Sequence, residues 1–401
     1  MRKSFATFMH PLFEKLSPEW KLLLCCARTR MNPELAEEVC NLVKKPLKWN
    51  AIFSVASENA IVPLLDRQLR ATVPGLVPVS EMQRLNEANR ANALRCLNLT
   101  AVLIEILRLL KAEGIAALPY KGPVLAVQAY GDAVLRQFED VDILLRHRDM
   151  EKAHEIMRRL GFVPAIPEDM RPDFNSPMVP GEYKYYGEAR AAIVEFHTER
   201  TYRHFPVAPD LDELYRAGGW VSLSGHQVRT LSVEDTLVAI CVHGSKDFWA
   251  RLSWIADVSE LIQSQPGLDW QRVISRAVSL RAERMLHAGL MLAARTFDTP
   301  LPEAVAGRLG KDARARTIAG EMQTSLLHSD SKLRGAIGRF ELRRRLVPGM
   351  FAGWHYALRL TMVPAEEDWR TMRLPARLGP FYFLLRPLRL ARKYGRSHEA
   401  A

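Results

Sequence analysis

No run of about 18 uncharged apolar residues occurs in the 401-residue chain, so no membrane-spanning helix is expected. Cysteine is scarce. The five copies (Cys25, Cys26, Cys40, Cys96, Cys241) include no CxxC pair and are odd in number. That pattern excludes a disulfide framework and a cysteine zinc site, and suits a reducing cytoplasm. The opening residues carry charge, but no apolar segment follows before Glu14, so a signal peptide is not expected. HExxH is missing, as are internal repeats and low-complexity tracts. His147-Arg148-Asp149 spells a kinase catalytic-loop triplet by chance. No glycine-rich loop precedes it, and position 154 is His instead of the metal-binding Asn.

What is present is an ordinary globular balance, 48% hydrophobic and 25% charged. The formal net charge of +11 is unevenly placed: residues 301–401 hold 19 Lys+Arg against 9 Asp+Glu. The first 300 residues are therefore nearly neutral, which argues against nucleic acid as the partner of the whole surface. The basic tail points to an anionic partner (nucleic acid, an acidic lipid surface or a phosphorylated substrate) or to a solvated charged surface, with an RNA-modifying transferase as an outlying reading. Arg386, Arg389, Lys393 and Arg396 share one helical face, with Leu384, Leu385 and Leu388 mainly on the other. The leucines are expected to pack on the protein's own body; peripheral contact with an anionic membrane is the alternative.

Residues 1–113 read as an N-terminal helical region. Ser17-Pro18-Glu19 marks a helix start, one helix is expected over Asn50–Leu69, and another runs from Asn89 to Gly114. Residues 114–232 read as a small α/β core. Ile115 to Tyr120 forms a strand that feeds Lys121-Gly122-Pro123 and a helix from Val124 to Tyr130. Asp140 to Arg146 is a second strand, and Asp149 caps a helix over Met150–Leu160. Ala191 to Thr198 is a third strand, with Ile193, Glu195 and His197 on one face. An irregular insertion rich in Pro, Asp and Gly is expected at about 164–190. Residues 233–300 form helices expected to pack on the core, Trp249 and Trp254 among their buried residues. Residues 301–401 form a basic, mainly helical C-terminal region.

The chemistry concentrates at Asp140-Val141-Asp142. Carboxylates at i and i+2 of a strand point to one face, close enough to share hard cations together with phosphate oxygens. Such like charges are costly without a cation between them. On that reasoning, Asp142→Asn is expected to leave the metal-free protein at least as stable.

Strand, Lys121-Gly122, helix, Tyr130-Gly131-Asp132, Arg136 and Asp140-Val141-Asp142-Ile143-Leu144-Leu145 together resemble the DNA polymerase β-like nucleotidyltransferase superfamily. More narrowly they resemble a family of uncharacterised bacterial nucleotidyltransferases. Val194-Glu195-Phe196-His197 and the stretch from His243 through Trp249, Trp254 and Asp257 are similar to further family motifs. The resemblance spans about residues 45–395. It implies an α+β fold, a small mixed sheet with helices, flanked by N- and C-terminal helical regions. It implies Mg²⁺-dependent (Mn²⁺ as the substitute) transfer of a nucleoside monophosphate from an NTP, ATP first, to an acceptor hydroxyl. That hydroxyl would belong to a sugar, small molecule or protein, with surface-polysaccharide biosynthesis as the first context. Asp140, Asp142 and Glu195 would hold the metals, with Glu195 also assisting deprotonation. Lys121, Gly122 and Arg136 would bind the nucleotide, and His197 and His243 would line the site. Two departures stand out: Pro123 follows Gly122 where the superfamily usually reads Gly-Gly or Gly-Ser, and position 59 is Asn where relatives often have His. The missing serine favours the alternative, a catalytically inactive NTP-sensing or scaffold protein with the same fold.

Overall fold

The computed structural model describes residues 11–168, 174, 181–199, 205–328, 335–364, 366–372, 374, 378 and 381–395. Helix signals early in the chain are local and strong. Ser17 and Asn32 accept from the backbone N–H groups of Trp20 and Leu35, and start the helices Pro18–Cys26 and Pro33–Val43. The single helix expected over Asn50–Leu69 is instead two, Trp49–Glu58 and Val62–Thr72. Pro63 cannot donate to a preceding turn, and Ala60 takes a left-handed φ of 54° at the break. Buried Asn59 turns this break into a joint: its Oδ1 accepts from Leu252 N at 2.9 Å, and its carbonyl from Ser253 N at 3.2 Å.

The 34-residue helix Val79–Ala112 leads into a five-stranded mixed sheet. Its strands are β1 (Ala117–Pro119), β2 (Asp140–Leu145), β3 (Val163–Pro164), β4 (Glu182–Gly187) and β5 (Ala192–His197), in the order β1-β2-β5-β4-β3. Only β2 and β5 run parallel. The insertion expected to be irregular thus contributes β4: Tyr183, Tyr185 and Gly187 are buried and alternate with half-buried neighbours, a strand period. Residues 169–173 and 175–180 of that insertion lie outside the described residues. A hairpin of β6 (Gly219–Leu223) and β7 (His226–Thr230) follows. Asp149 makes no side-chain cap; a short 3₁₀ turn over His147–Asp149 starts the helix Met150–Arg159 instead.

Alternation along the strands divides the sheet into two faces. Val141, Ile143, Leu145, Val194 and Phe196 share a core with Leu99, Leu103 and Ile106 of the long helix. The opposite face carries Asp140, Asp142, Glu195 and His197, and meets the helices Gly122–Tyr130, Val233–Lys246 and Leu252–Ser264. Trp249 is fully buried, in the turn between the last two helices instead of within one. It fills space that a Cβ on Gly244 or Gly289 would invade, at 2.7 and 2.9 Å. The tail helix Phe381–Gly395 departs from expectation: Arg386 is buried, while Leu384 and Leu388 are exposed. Arg396, the end of its expected basic face, lies outside the described residues.

Candidate active site

Strand register assembles the acidic cluster. Asp142 stands opposite Glu195 on the parallel β2–β5 pair, and Lys184 stands opposite Glu195 from β4. Residues paired in this way share a face, so Asp142, Glu195 and Lys184 form one row across the sheet. His197 lies two residues beyond Glu195 on the same face. Its Nε2 is 2.8 Å from Asp142 Oδ1 and 3.6 Å from Glu195 Oε2. Two lysines complete the arrangement: Lys121 Nζ is 2.6 Å from Asp142 Oδ1, and Lys184 Nζ is 2.5 Å from Glu195 Oε1. Asp142 is 2% exposed, Glu195 and His197 are each 7% exposed, and Asp140 sits half-buried at the rim.

Lys121 reaches the row because the chain turns sharply from β1 into the helix Gly122–Tyr130. Gly122 has a φ of +51°, and a Cβ there would lie 3.0 Å from the Asp140 carbonyl oxygen. Glycine takes this left-handed φ without strain and permits the close approach of the helix N-terminus to β2. Gly122→Ala should therefore cost about 1–3 kcal/mol of stability, measured by urea unfolding. An unchanged midpoint would mean that the turn relaxes freely.

Burial and charge set the proton affinities. Burial would raise the Asp142 carboxyl, but the Lys121 ammonium and the His197 hydrogen bond outweigh it and hold the group well below the usual carboxylate range. Asp140 is raised by burial and by the negative charge of Asp142. Glu195 is raised by burial, then by Glu182 and Asp142. Burial works against the charge on Lys121, yet Asp142, Asp140 and Glu195 overcome it and raise that group instead.

Two cavities open on this row. One of about 270 Å³ is bordered by Tyr120, Phe205, Lys184, Glu195, His197 and Lys246. The other, of about 240 Å³, is bordered by Gly122, Arg136, Asp142, Arg251, Ser253 and Trp254. Lys121, Asp140 and His243 line both.

Residues 45–298, more than half of the chain, match the family model described as "Uncharacterised nucleotidyltransferase". The chain belongs to this nucleotidyltransferase family. No curated protein matches it. Among solved structures, a similar one is that of an antigenic nucleotidyltransferase-like protein from Paracoccidioides brasiliensis. It is 16% identical with a TM-score of 0.32, and the match covers 52% of this chain and 96% of that one.

Nucleotidyltransferases generally use divalent metals, so the donors can be tested for fit. Asp142, Glu195 and His197 each offer one ligand atom, all within 4.8 Å of one another, and two buried carboxylates with an imidazole suit a divalent cation. That group contains His197, expected only to line the site, and not Asp140. The residues fit, with the Lys121 and Lys184 ammonium groups each paired to one oxygen of these carboxylates.

Arg136 borders the second cavity, with its guanidinium engaged by a carboxylate. Its Nε and Nη2 donate to Asp257 Oδ1 and Oδ2 at 2.9 and 3.0 Å, and Tyr130 donates to Oδ1 at 2.8 Å. This bidentate pair ties the loop before β2 to the helix Leu252–Ser264. Tyr120, Lys184, Lys246 and Arg251 were not anticipated at the site. For Lys184 the signal was available in Tyr183 and Tyr185, which make residue 184 point the other way on a strand.

His243 packs edge-on against Trp254, ring centroids 5.1 Å apart. Trp254 is thus a wall of the site and only partly buried. Burial, then the positive charges of Lys121, Lys246 and Arg136, pushes the His243 imidazole well below its ordinary value of 6.5, against an opposing pull from Asp142. The unfolded chain takes up a proton at this histidine below about pH 6.5, whereas the folded protein does not. The unfolded state then binds more protons, so stability falls as pH drops from 6.5. Melting temperatures from pH 7.5 to 5 should show this slope, and His243→Gln should reduce it. Equal slopes would show that His243 is freely protonated in the folded protein.

Proposed function

We propose that the protein transfers a nucleoside monophosphate from an NTP to an acceptor hydroxyl. The observation that carries this reading is the Asp142–Glu195 row with His197, set against the glycine-turned helix N-terminus that Lys121 leads. The polymerase β-like core at 114–232, with helical regions before and after it, is part of the same proposal. The cavity beside Gly122 takes the phosphates, where backbone N–H groups, the helix dipole and Lys121 favour negative charge. The acceptor enters the other cavity, between Tyr120, Phe205 and Glu195. Glu195, which borders that cavity, takes the hydroxyl proton. Without metal, His197 orients the Asp142 carboxylate by hydrogen bond, and Lys121 moves from that carboxylate to the phosphate charge that develops. Mg²⁺ held by Asp142, Glu195 and His197, with Asp140 at the rim, would supply charge neutralisation at the transferring phosphoryl group. ATP is the first donor to try, and a sugar hydroxyl, in the setting of surface-polysaccharide synthesis, the first acceptor.

The test is pyrophosphate release from each NTP with Mg²⁺ and a panel of sugars, alongside calorimetric binding of a non-hydrolysable NTP. Release that depends on Asp142 and Glu195 is the expected result. Binding without release would select an NTP-sensing or scaffold protein instead, a reading that Pro123 favours because it stands where the superfamily usually reads Gly or Ser. Absence of binding would remove both readings.

A further inference from the structure

The two helices that carry His243 and Trp254 are joined by a strained turn. Phe248 and Trp249 take left-handed φ values of 59° and 51°, a region that bulky side chains rarely enter. Trp249, 0% exposed and packed against Gly244 and Gly289, holds the turn in place. The turn leads to Arg251, which stands at the N-cap of the helix Leu252–Ser264 and makes no side-chain cap. Ser, Thr, Asp and Asn are the usual residues at such a position. A cation there meets the positive end of the helix dipole. Asn59 accepts from the first two N–H groups of the helix, Leu252 and Ser253, so the helix gains nothing from Arg251.

The Arg251 side chain belongs to the cavity beside Gly122 instead. Its guanidinium is exposed, lies over the Trp254 ring at 6.0 Å, and has no ion pair or hydrogen bond among the described residues. Arg136 borders the same cavity, but its guanidinium is held by Asp257. Ser253 lines the cavity as well. It is 6% exposed, and its hydroxyl has no hydrogen-bond partner among the described residues. A buried hydroxyl without a partner costs free energy unless a ligand supplies one. Beside an unpaired guanidinium, that ligand is an oxyanion, and the planar fork of arginine matches phosphate. The cavity reaches from Asp142, 2% exposed, to exposed Arg251. The reacting phosphorus must lie at the acidic row, so the phosphates beyond it extend toward Arg251.

We propose that Arg251 and Ser253 bind the terminal phosphates of the donor and so select nucleoside triphosphates. The inference rests on the transfer reading above and deepens it. As the acceptor oxygen bonds to the α-phosphorus, the bond from that phosphorus to the oxygen bridging to the β-phosphorus breaks. Pyrophosphate leaves with the electron pair, and the hydroxyl proton goes to Glu195. Arg251 meets the charge that the leaving group gains.

Calorimetry on the full chain, with inorganic pyrophosphate, a non-hydrolysable ATP analogue and AMP at fixed Mg²⁺, needs no turnover. Arg251→Gln should weaken pyrophosphate and the ATP analogue by about tenfold or more and leave AMP unchanged. Arg251→Lys should recover part of the loss, and Ser253→Ala should show a smaller one. Arg392→Gln, at an exposed arginine of the tail helix, should bind as wild type does. Without ligand, Arg251→Gln should melt no lower than wild type, since it removes a cation from a helix N-terminus. A markedly lower melting temperature would make Arg251 a structural residue and overturn the proposal. Equal pyrophosphate affinity in wild type and Arg251→Gln, or an equal loss in Arg392→Gln, also overturns it. In those cases, pyrophosphate release that still requires Asp142 leaves the transfer reading standing. Pyrophosphate binding that depends on Arg251, with no transfer to any acceptor, supports the site and removes the transfer reading alone.

Discussion

Asp142→Asn will unfold at a lower denaturant concentration than wild type and will lose nucleotidyl transfer. Sequence reasoning leads to the opposite expectation for stability, since Asp140 and Asp142 repel and removing one charge relieves them. The structure reverses it, because Asp142 does not face Asp140 uncompensated. Lys121 Nζ and His197 Nε2 both converge on Asp142 Oδ1, at 2.6 and 2.8 Å, and the carboxylate is 2% exposed. An amide keeps the shape but leaves a buried ammonium without its counter-charge. Breaking one side of a buried pair costs about 3–5 kcal/mol. The Lys121 side chain is 14% exposed, so partial access to water places the loss near the lower end. Urea unfolding at neutral pH measures this directly. Transfer should fall by about 10³-fold or more, because the residue orients both its neighbours and any bound cation. A variant as stable as wild type would show that Lys121 is held by other groups, and Asp142 would lose its central place.

The comparison of Asp140 with Asp142 shows how far the sequence could be read. Strand periodicity puts both on one face, and the second strand puts Glu195 and His197 on one face as well. That much is local and legible. Which aspartate lies deepest depends on register: Asp142 pairs with Glu195 and Asp140 with Ile193, and nothing in the sequence fixes that alignment. Lys184 was hidden for a second reason. Its strand is short and follows a stretch of Pro, Asp and Gly, so composition outweighed the Tyr183–Tyr185 alternation. Long-range partners were out of reach altogether. Arg136 reads as a phosphate ligand until Asp257, 121 residues later, is seen to engage its guanidinium. The tail helix makes the same point about polarity. Its spacing predicts two faces correctly, but the direction they take is decided by a buried acid elsewhere, Asp368, which Arg386 and Arg389 engage.

Lys121→Met should separate the two roles of this lysine by moving metal affinity and turnover in opposite directions. In the wild-type protein the ammonium stands on Asp142 Oδ1, within the group of side chains that would hold a divalent cation. Mn²⁺ must then compete with a tethered cation whose charge is strengthened by Asp142, Asp140 and Glu195 against the effect of burial. Methionine keeps much of the length and removes the charge. Without metal the variant should be less stable by about 2–4 kcal/mol, because Asp142 and its acidic neighbours lose a positive partner. Titration with Mn²⁺ should restore that stability, with a dissociation constant at least about tenfold below that of wild type, since no ammonium has to be displaced. Transfer should nevertheless fall by about 10²–10³-fold, because the phosphates lose the cation meant to meet them. In wild type, a non-hydrolysable NTP should strengthen Mn²⁺ binding by drawing Lys121 off the carboxylate, and in Lys121→Met that coupling should shrink. Paramagnetic resonance of free Mn²⁺ gives the affinities without any turnover. If wild type and Lys121→Met bind Mn²⁺ equally, the lysine does not guard the carboxylates, and the ion pair seen at 2.6 Å does no more than hold the turn to the sheet.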